Sequence, residues 1–213
     1  MRVKPYAQSK IQPQLESLND SEHVSQRGKK LLFFSGGSAL RTFCQPLVKA
    51  THNSVHLVTP FDSGGSSAKI RQHFSLPAVG DLRNRLLALS HNHTREQKII
   101  ARLLSYRLCS NASQYALRDH LQSMADGRDP LVALLSHERR QLFCQNITGI
   151  LQCLPIDFDL EGACIGNLLF IDTKHSGKNS LQSGIELFHQ MLDIRGVVRP
   201  IVEDNLHIAA YLQ

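Results

Sequence analysis

Two successive stretches of this chain share one plan, and that repetition limits the fold more than any other feature. The run KKLLFF from Lys29 to Phe34 stops at SGG and continues as SALRTFCQPLVKA, where Leu40, Phe43, Leu47 and Val48 recur at helical spacing. After a short connection, NSVHLVTP leads into FDSGGSS and then into AKIRQHF, which has helical character. Strand, glycine bend and helix, twice over, predict neighbouring parallel strands joined by right-handed crossovers, with both bends at the carboxyl edge of one sheet. The expected class is α/β, with a Rossmann-like, mostly parallel sheet.

The remainder fits around that frame. Residues 1–28 are polar, rich in Gln and Ser and free of sustained periodicity, so a loosely ordered tail is expected ahead of a domain spanning 29–213. In PAVGDLRNRLLALS, Asp81 is placed as an N-cap and Leu82, Leu86, Leu87 and Leu89 form an apolar face. Residues from 94 to about 160 predict a helical insertion, broken near ADGRDP and around NIT. Beyond it, GACIGNLLFID reads either as a buried strand or as a helix opened by Gly166 and Asn167. SLQSGIELFHQML reads as a helix, and GVVRPIV and LHIAAYL read as strands.

Composition removes several classes of function. With 42% apolar and 20% charged residues the chain is not globally disordered, and no apolar run nears the roughly 18 residues of a membrane helix. MRVKPYAQSK lacks the apolar core of a secretory signal, so a cytoplasmic protein with no membrane partner is expected. The five cysteines (44, 109, 144, 153 and 164) form no C-x-x-C pair and read as reduced thiols. Half of the formal charge of +6 falls within the first thirty residues, and no basic stripe is interleaved with aromatics. An anionic small ligand is expected rather than nucleic acid.

The two bends carry the candidate chemistry. Gly36, Gly37 and Ser38 let backbone N–H groups approach an anion at a helix N-terminus, although neither G-x-G-x-x-G nor G-x-x-x-x-G-K-[ST] is present. In the second bend, Gly64 and Gly65 permit close approach and Ser66 and Ser67 can donate to phosphate. Asp62 can hold a hard cation such as Mg2+. Plain turns, with Asp62 as a cap, are the open alternative. The letters DSGG also surround the nucleophile of trypsin-like proteases, but those are all-β barrels and this chain alternates strands with helices.

Taken in order, SGGSAL, DSGGSS with Arg71 behind it, P-x-x-GDLRN, LLSYR and IGNL resemble the family that contains the phospholactate transferase CofD and the regulator YvcK. The resemblance implies a sheet that binds a nucleotide-linked ligand at its carboxyl edge. One branch moves a phospholactyl-type group from a guanosine diphosphate carrier to a deazaflavin alcohol with magnesium. A second binds uridine diphosphate sugars and affects carbon metabolism. A third group is encoded beside an ATP-grasp-like protein and a kinase, which become expected partners, as does a second copy of the chain. The relatives continue past LHIAAYL with further strands, so the expected sheet is short at its C-terminal side and the chain a fragment.

Carried over by position, the resemblance assigns ligand binding to Gly36, Gly37, Ser38, Gly64, Gly65, Ser66, Ser67, Arg71, Gly80, Asp81, Arg83, Asn84, Gly166 and Asn167. Asp62 becomes the catalytic and metal-holding candidate. Arg83 would pair with phosphate and Asn84 would read a ribose or base. Several positions depart from the family pattern: Ser35 and Ala39 replace outer glycines, Ser63 replaces a second acid, and Ala163 and Cys164 stand where His and Ser are usual. Two rival readings stay open, an NAD-binding oxidoreductase with Asp62 on ribose and an interaction module that has lost its chemistry. HNHT (His91, His93) reads as a solvated loop before a helix, and Glu203, Asp204 and His207 in EDNLH as a lesser ligand candidate.

Overall fold

The structure is a computed structural model that describes residues 30–36, 40–62, 64–171 and 181–206. Gly37, Ser38, Ser63, His207 and the tail to residue 28 lie outside the described residues, as does LHIAAYL beyond Leu206.

The doubled unit folds as the pattern requires. β1 (Leu31–Ser35) leads to α1 (Arg41–Ala50), β2 (Ser54–Val58) and α2 (Gly65–Phe74). β1 and β2 pair in parallel, with Leu31 opposite Ser54 and Ser35 opposite Val58, so both bends leave the same edge of the sheet. β3 (Val197–Pro200) lies on the other side of β2, also parallel, giving the order β1-β2-β3. Side chains alternate between faces along each strand. Ser54, His56 and Val58 are buried on the face covered by α3 (Gly80–Ala88), which packs on β2 and β3. Leu32 and Phe34 point to the other face and are 51% and 72% exposed.

The insertion consists of α4 (Arg95–Ser105), α5 (Gln114–Ala125), a 3-10 turn (Val132–Leu134) and α6 (His137–Cys153). Thr94 and Gln97 form a capping box that starts α4. α5 and α6 pack on each other, and Leu117, Leu121, Met124, Phe143, Ile147 and Ile150 are buried among the insertion's apolar residues. α7 (Ile165–Leu168) packs against α4, and α8 (Leu181–Met191) precedes β3. The insertion holds α7 through backbone bonds from Ile165 N to Tyr106 O (2.9 Å) and from Leu108 N to Ala163 O (2.9 Å).

Three local expectations need correction, and one open alternative is decided. α6 runs unbroken through NIT, because Asn146 and Thr148 bond back to the carbonyls of Leu142 and Cys144 instead of diverting the backbone. Asp81 lies inside the first turn of α3, where Val79 is the N-cap, so its carboxylate favours the helix through the dipole. Phe43 is 45% exposed, and Cys44 takes the buried position beside Leu47 and Val48. Of the two readings of GACIGNLLFID, the helix is the one formed, as a single turn.

Candidate functional site

A cavity of about 180 Å3 opens at the carboxyl edge, bounded by the β2–α2 bend, the start of α3, the chain after α4, and α7. Its wall contains Asp62, Gly64, Gly65, Ser66, Ser67, Gly80, Arg83, Asn84, Arg107 and Asn167. Pockets for drug-sized ligands run to roughly 300–1,000 Å3, so this space is smaller than such a ligand needs.

The bend forms for local reasons. Asp62 Oδ1 accepts from Gly64 N at 3.0 Å, closing an Asx-type turn, and Gly65 takes φ 53, which a glycine adopts at no steric cost. A Cβ at Gly65 would meet nothing within 4 Å. The bend is open at that position, and the first helical bond of α2 runs from Ala68 N to Gly64 O. Asp62 thus serves the turn with one oxygen and is not the helix cap of the plain-turn alternative, because Gly64 holds the N-cap position of α2. Its other oxygen lies 3.0 Å from where a Cβ on Gly80 would sit.

Ser66 and Ser67, expected to contact phosphate, are 5% and 2% exposed and use their oxygens as structural acceptors. Ser66 Oγ accepts from Cys164 N at 3.0 Å. Ser67 Oγ accepts from Gly80 N at 3.0 Å and from Asn167 Nδ2 at 3.4 Å, joining α2, α3 and α7 at one atom. A Cβ on Gly80 would lie 2.8 Å from that oxygen, so only glycine permits the approach.

Arg83 is 7% exposed. Its Nη1 donates to Cys164 Sγ and its Nη2 to Asn84 Oδ1 at 2.7 Å, while its buried Nε has no acceptor among the described residues. No ion pair to Arg83 is formed among the described residues. Arg107 stands exposed on the wall, donating to Gly162 O at 3.1 Å, and an antiparallel bridge ties it to Cys164. Among the described residues the wall carries two guanidinium groups and one carboxylate, an excess of positive charge.

Other candidates fall elsewhere. Arg71 is buried but faces the chain end, donating to Asn205 Oδ1 and Leu206 O at 2.9 Å each and more weakly to Asp62 O at 3.4 Å. Asp81 Oδ2 would lie 3.7 Å from a Cβ on Gly36, and that Cβ would collide with Thr59 Oγ1, so Gly36 is fixed by close packing of the first bend. Glu203 and Asp204 are exposed and not on the cavity wall. His91 and His93 contact each other, with His91 Nδ1 3.5 Å from Asp193 Oδ2, in a loop that leads into α4. Among the described residues no three His, Cys, Asp or Glu side chains gather to hold a metal.

Gly166 sets how closely α7 approaches the rest. A Cβ there would collide with Leu104 O and come within 2.9 Å of Arg83 Cδ. Gly166→Ala is expected to destabilise the protein by about 2 kcal/mol through overpacking. A urea unfolding midpoint unchanged from wild type would show that α7 has room to move.

Sequence reasoning missed Arg107 and the contact between Cys164 and Arg83. Arg107 does end the LLSYR segment, so its signal was present as a landmark without an assigned task.

These features define an α/β protein with an open parallel sheet and a polar, basic cavity at its carboxyl edge. The family model described as 2-phospho-L-lactate transferase CofD matches residues 31–213, and the chain belongs to that family. The gluconeogenesis factor of Listeria innocua is 25% identical over 184 residues, covering 86% of this chain and 41% of its own length. That of Bacillus subtilis is 38% identical over 61 residues, covering 29% of this chain and 19% of its own length. A crystal structure of a UPF0052 family protein from Bacillus halodurans superposes with a TM-score of 0.54 at 22% identity, over 85% of this chain and 42% of that one. At that identity the likeness speaks for the fold. The chain spans about two fifths of the length of the relatives that match it most fully. Among the described residues no helix is long and apolar enough to cross a membrane.

Proposed function

We propose that the carboxyl-edge cavity binds the diphosphate of a nucleotide-linked ligand, as a CofD-like transferase site. The observation that carries this is Arg83, a buried guanidinium with a free Nε and no carboxylate partner among the described residues, on the wall of a cavity that α2 enters by its N-terminus. A buried cation without a counter-charge is costly, and a phosphate supplies both the charge and the acceptors. The helix N-terminus adds amide donors and partial positive charge.

In transfer chemistry, an acceptor hydroxyl oxygen would bond to phosphorus as the carrier nucleotide's phosphate leaves, with the hydroxyl proton passing to Asp62 or water. The protein's share is positioning and charge neutralisation by the α2 amides, Arg83 and Arg107. Magnesium fits the donor set through Asp62, since this ion commonly takes one or two carboxylates and completes its shell with phosphate and water. It would neutralise charge on the phosphates. The second reading is a regulator that binds uridine diphosphate sugars without turnover. It is favoured by the single carboxylate among the wall's described residues, half engaged in its own turn, and by relatives that are named as a gluconeogenesis factor rather than as a transferase.

The test is thermal melting with inorganic pyrophosphate, UDP, GDP, UDP-glucose and NAD, each with and without magnesium. A ligand at 100 times its Kd adds about 2.7 kcal/mol of stability. Pyrophosphate and at least one nucleoside diphosphate should raise the Tm, and Asp62→Ala should remove any further rise produced by magnesium. A rise with NAD alone, or with none of these compounds, overturns the proposal.

A further inference from the structure

We infer that Asn167 is a specificity-determining residue that recognises a hydroxyl group carried by the ligand next to its phosphate. The inference rests on the diphosphate reading of the same cavity and adds the chemistry of what is attached to that diphosphate.

Asn167 is 2% exposed and lies on the cavity wall. Its Nδ2 is held by Ser67 Oγ, and its Oδ1 is buried with no hydrogen-bond partner among the described residues. Buried carbonyl oxygens without a donor are rare, because each forfeits its bonds to water. Arg83, on the same wall, has the opposite need: its Nε is a donor with no acceptor among the described residues. A phosphate satisfies Arg83 and cannot satisfy Asn167, since phosphate oxygens and the amide oxygen are both acceptors and repel at contact. The two unpaired atoms together describe a ligand that offers an anionic acceptor to one and a donor to the other. The volume of about 180 Å3 puts both within one small region of the ligand, which favours a sugar or ribose hydroxyl over a base N–H farther from the phosphate.

The amide has little freedom to find another partner. Ser67 Oγ is fixed by Gly80 N, and Ile165 N is bonded to Tyr106 O. Gly166 lies against Leu104 O, so the turn that carries Asn167 is held from both sides.

The test compares inorganic pyrophosphate, which has no hydroxyl beside carbon, with UDP-glucose, by calorimetric titration of the wild type, Asn167→Leu and Asn167→Asp. Leucine removes the acceptor at similar volume, whereas aspartate keeps it. Asn167→Leu should lower the affinity for UDP-glucose about 10-fold and leave pyrophosphate within about 2-fold, as expected for the loss of one hydrogen bond. Asn167→Asp should weaken both through charge repulsion and keep the wild-type ratio between them. A parallel loss of both ligands in Asn167→Leu means a structural role, and no loss in either means that the oxygen is satisfied by water. Each of these results overturns the inference while leaving the diphosphate site standing. Failure of wild type to bind pyrophosphate or UDP-glucose at all removes the diphosphate reading, and the inference with it.

Discussion

Arg83→Met should bind inorganic pyrophosphate at least about 100-fold more weakly than wild type while the ligand-free protein loses little or no stability. Hydrogen bonds to charged groups contribute about 1.5–3 kcal/mol each, and 100-fold corresponds to about 2.7 kcal/mol, so the loss of two phosphate bonds suffices. In the free protein the balance runs the other way. Arg83 is 7% exposed and among the described residues gains only a thiol and an amide oxygen as acceptors, whereas burial of its guanidinium forfeits strong hydration. Methionine fills much of the same space without a charge. Urea unfolding in the absence of ligand and titration with pyrophosphate separate the two effects. A variant destabilised by more than about 3 kcal/mol would make Arg83 a structural residue.

The second expectation concerns acid. His56 is fully buried in β2, stacked on Phe33 with ring centroids 4.8 Å apart, and its Nε2 is 3.1 Å from Ser54 Oγ. Burial, with a smaller contribution from the Arg85 charge, pushes its pKa from 6.5 down to about 4. The folded state therefore holds the imidazole neutral at pH values where the unfolded chain already binds the proton. Above the unfolded value the group brings no penalty. Between pH 6.5 and about 4, stability falls, by about 3 kcal/mol in total from this group. His56→Phe keeps an aromatic ring against Phe33 and removes the titration. The difference in unfolding free energy between wild type and this variant should move in the variant's favour by about that amount on acidification from neutral pH to about 4. A constant difference would show that the imidazole charges without cost in the folded protein.

What the sequence disclosed follows from what short patterns encode. An apolar run, a glycine bend and an amphipathic stretch are local signals, and their repetition dictated two parallel strands with both bends at one edge, which β1 and β2 show. GDLRN and IGNL were recognisable, and the structure brings Gly80, Arg83, Asn84 and Asn167 to the wall that also holds Asp62, Gly64 and Gly65. Side-chain engagement was not legible. Nothing local shows that Arg71, one helical turn beyond the serines, reaches Asn205, 134 positions away. Nor does spacing reveal that Cys164 is a partner of Arg83. NIT misled because β-branched and amide side chains weaken a helix on average, and here their polar atoms found acceptors within the helix itself.

Ser66 meets Cys164 across 98 positions and Ser67 meets Asn167 across 100. Closing chain segments of that span costs more entropy than forming local helices or the β1–β2 pair, in which Leu31 meets Ser54, so these contacts are expected to come late in folding. Occupancy of the cavity should therefore report on completion of the fold. In a refolding time course, pyrophosphate would begin to protect the protein from proteolysis only in the final kinetic phase, after helical circular dichroism had reached its native value.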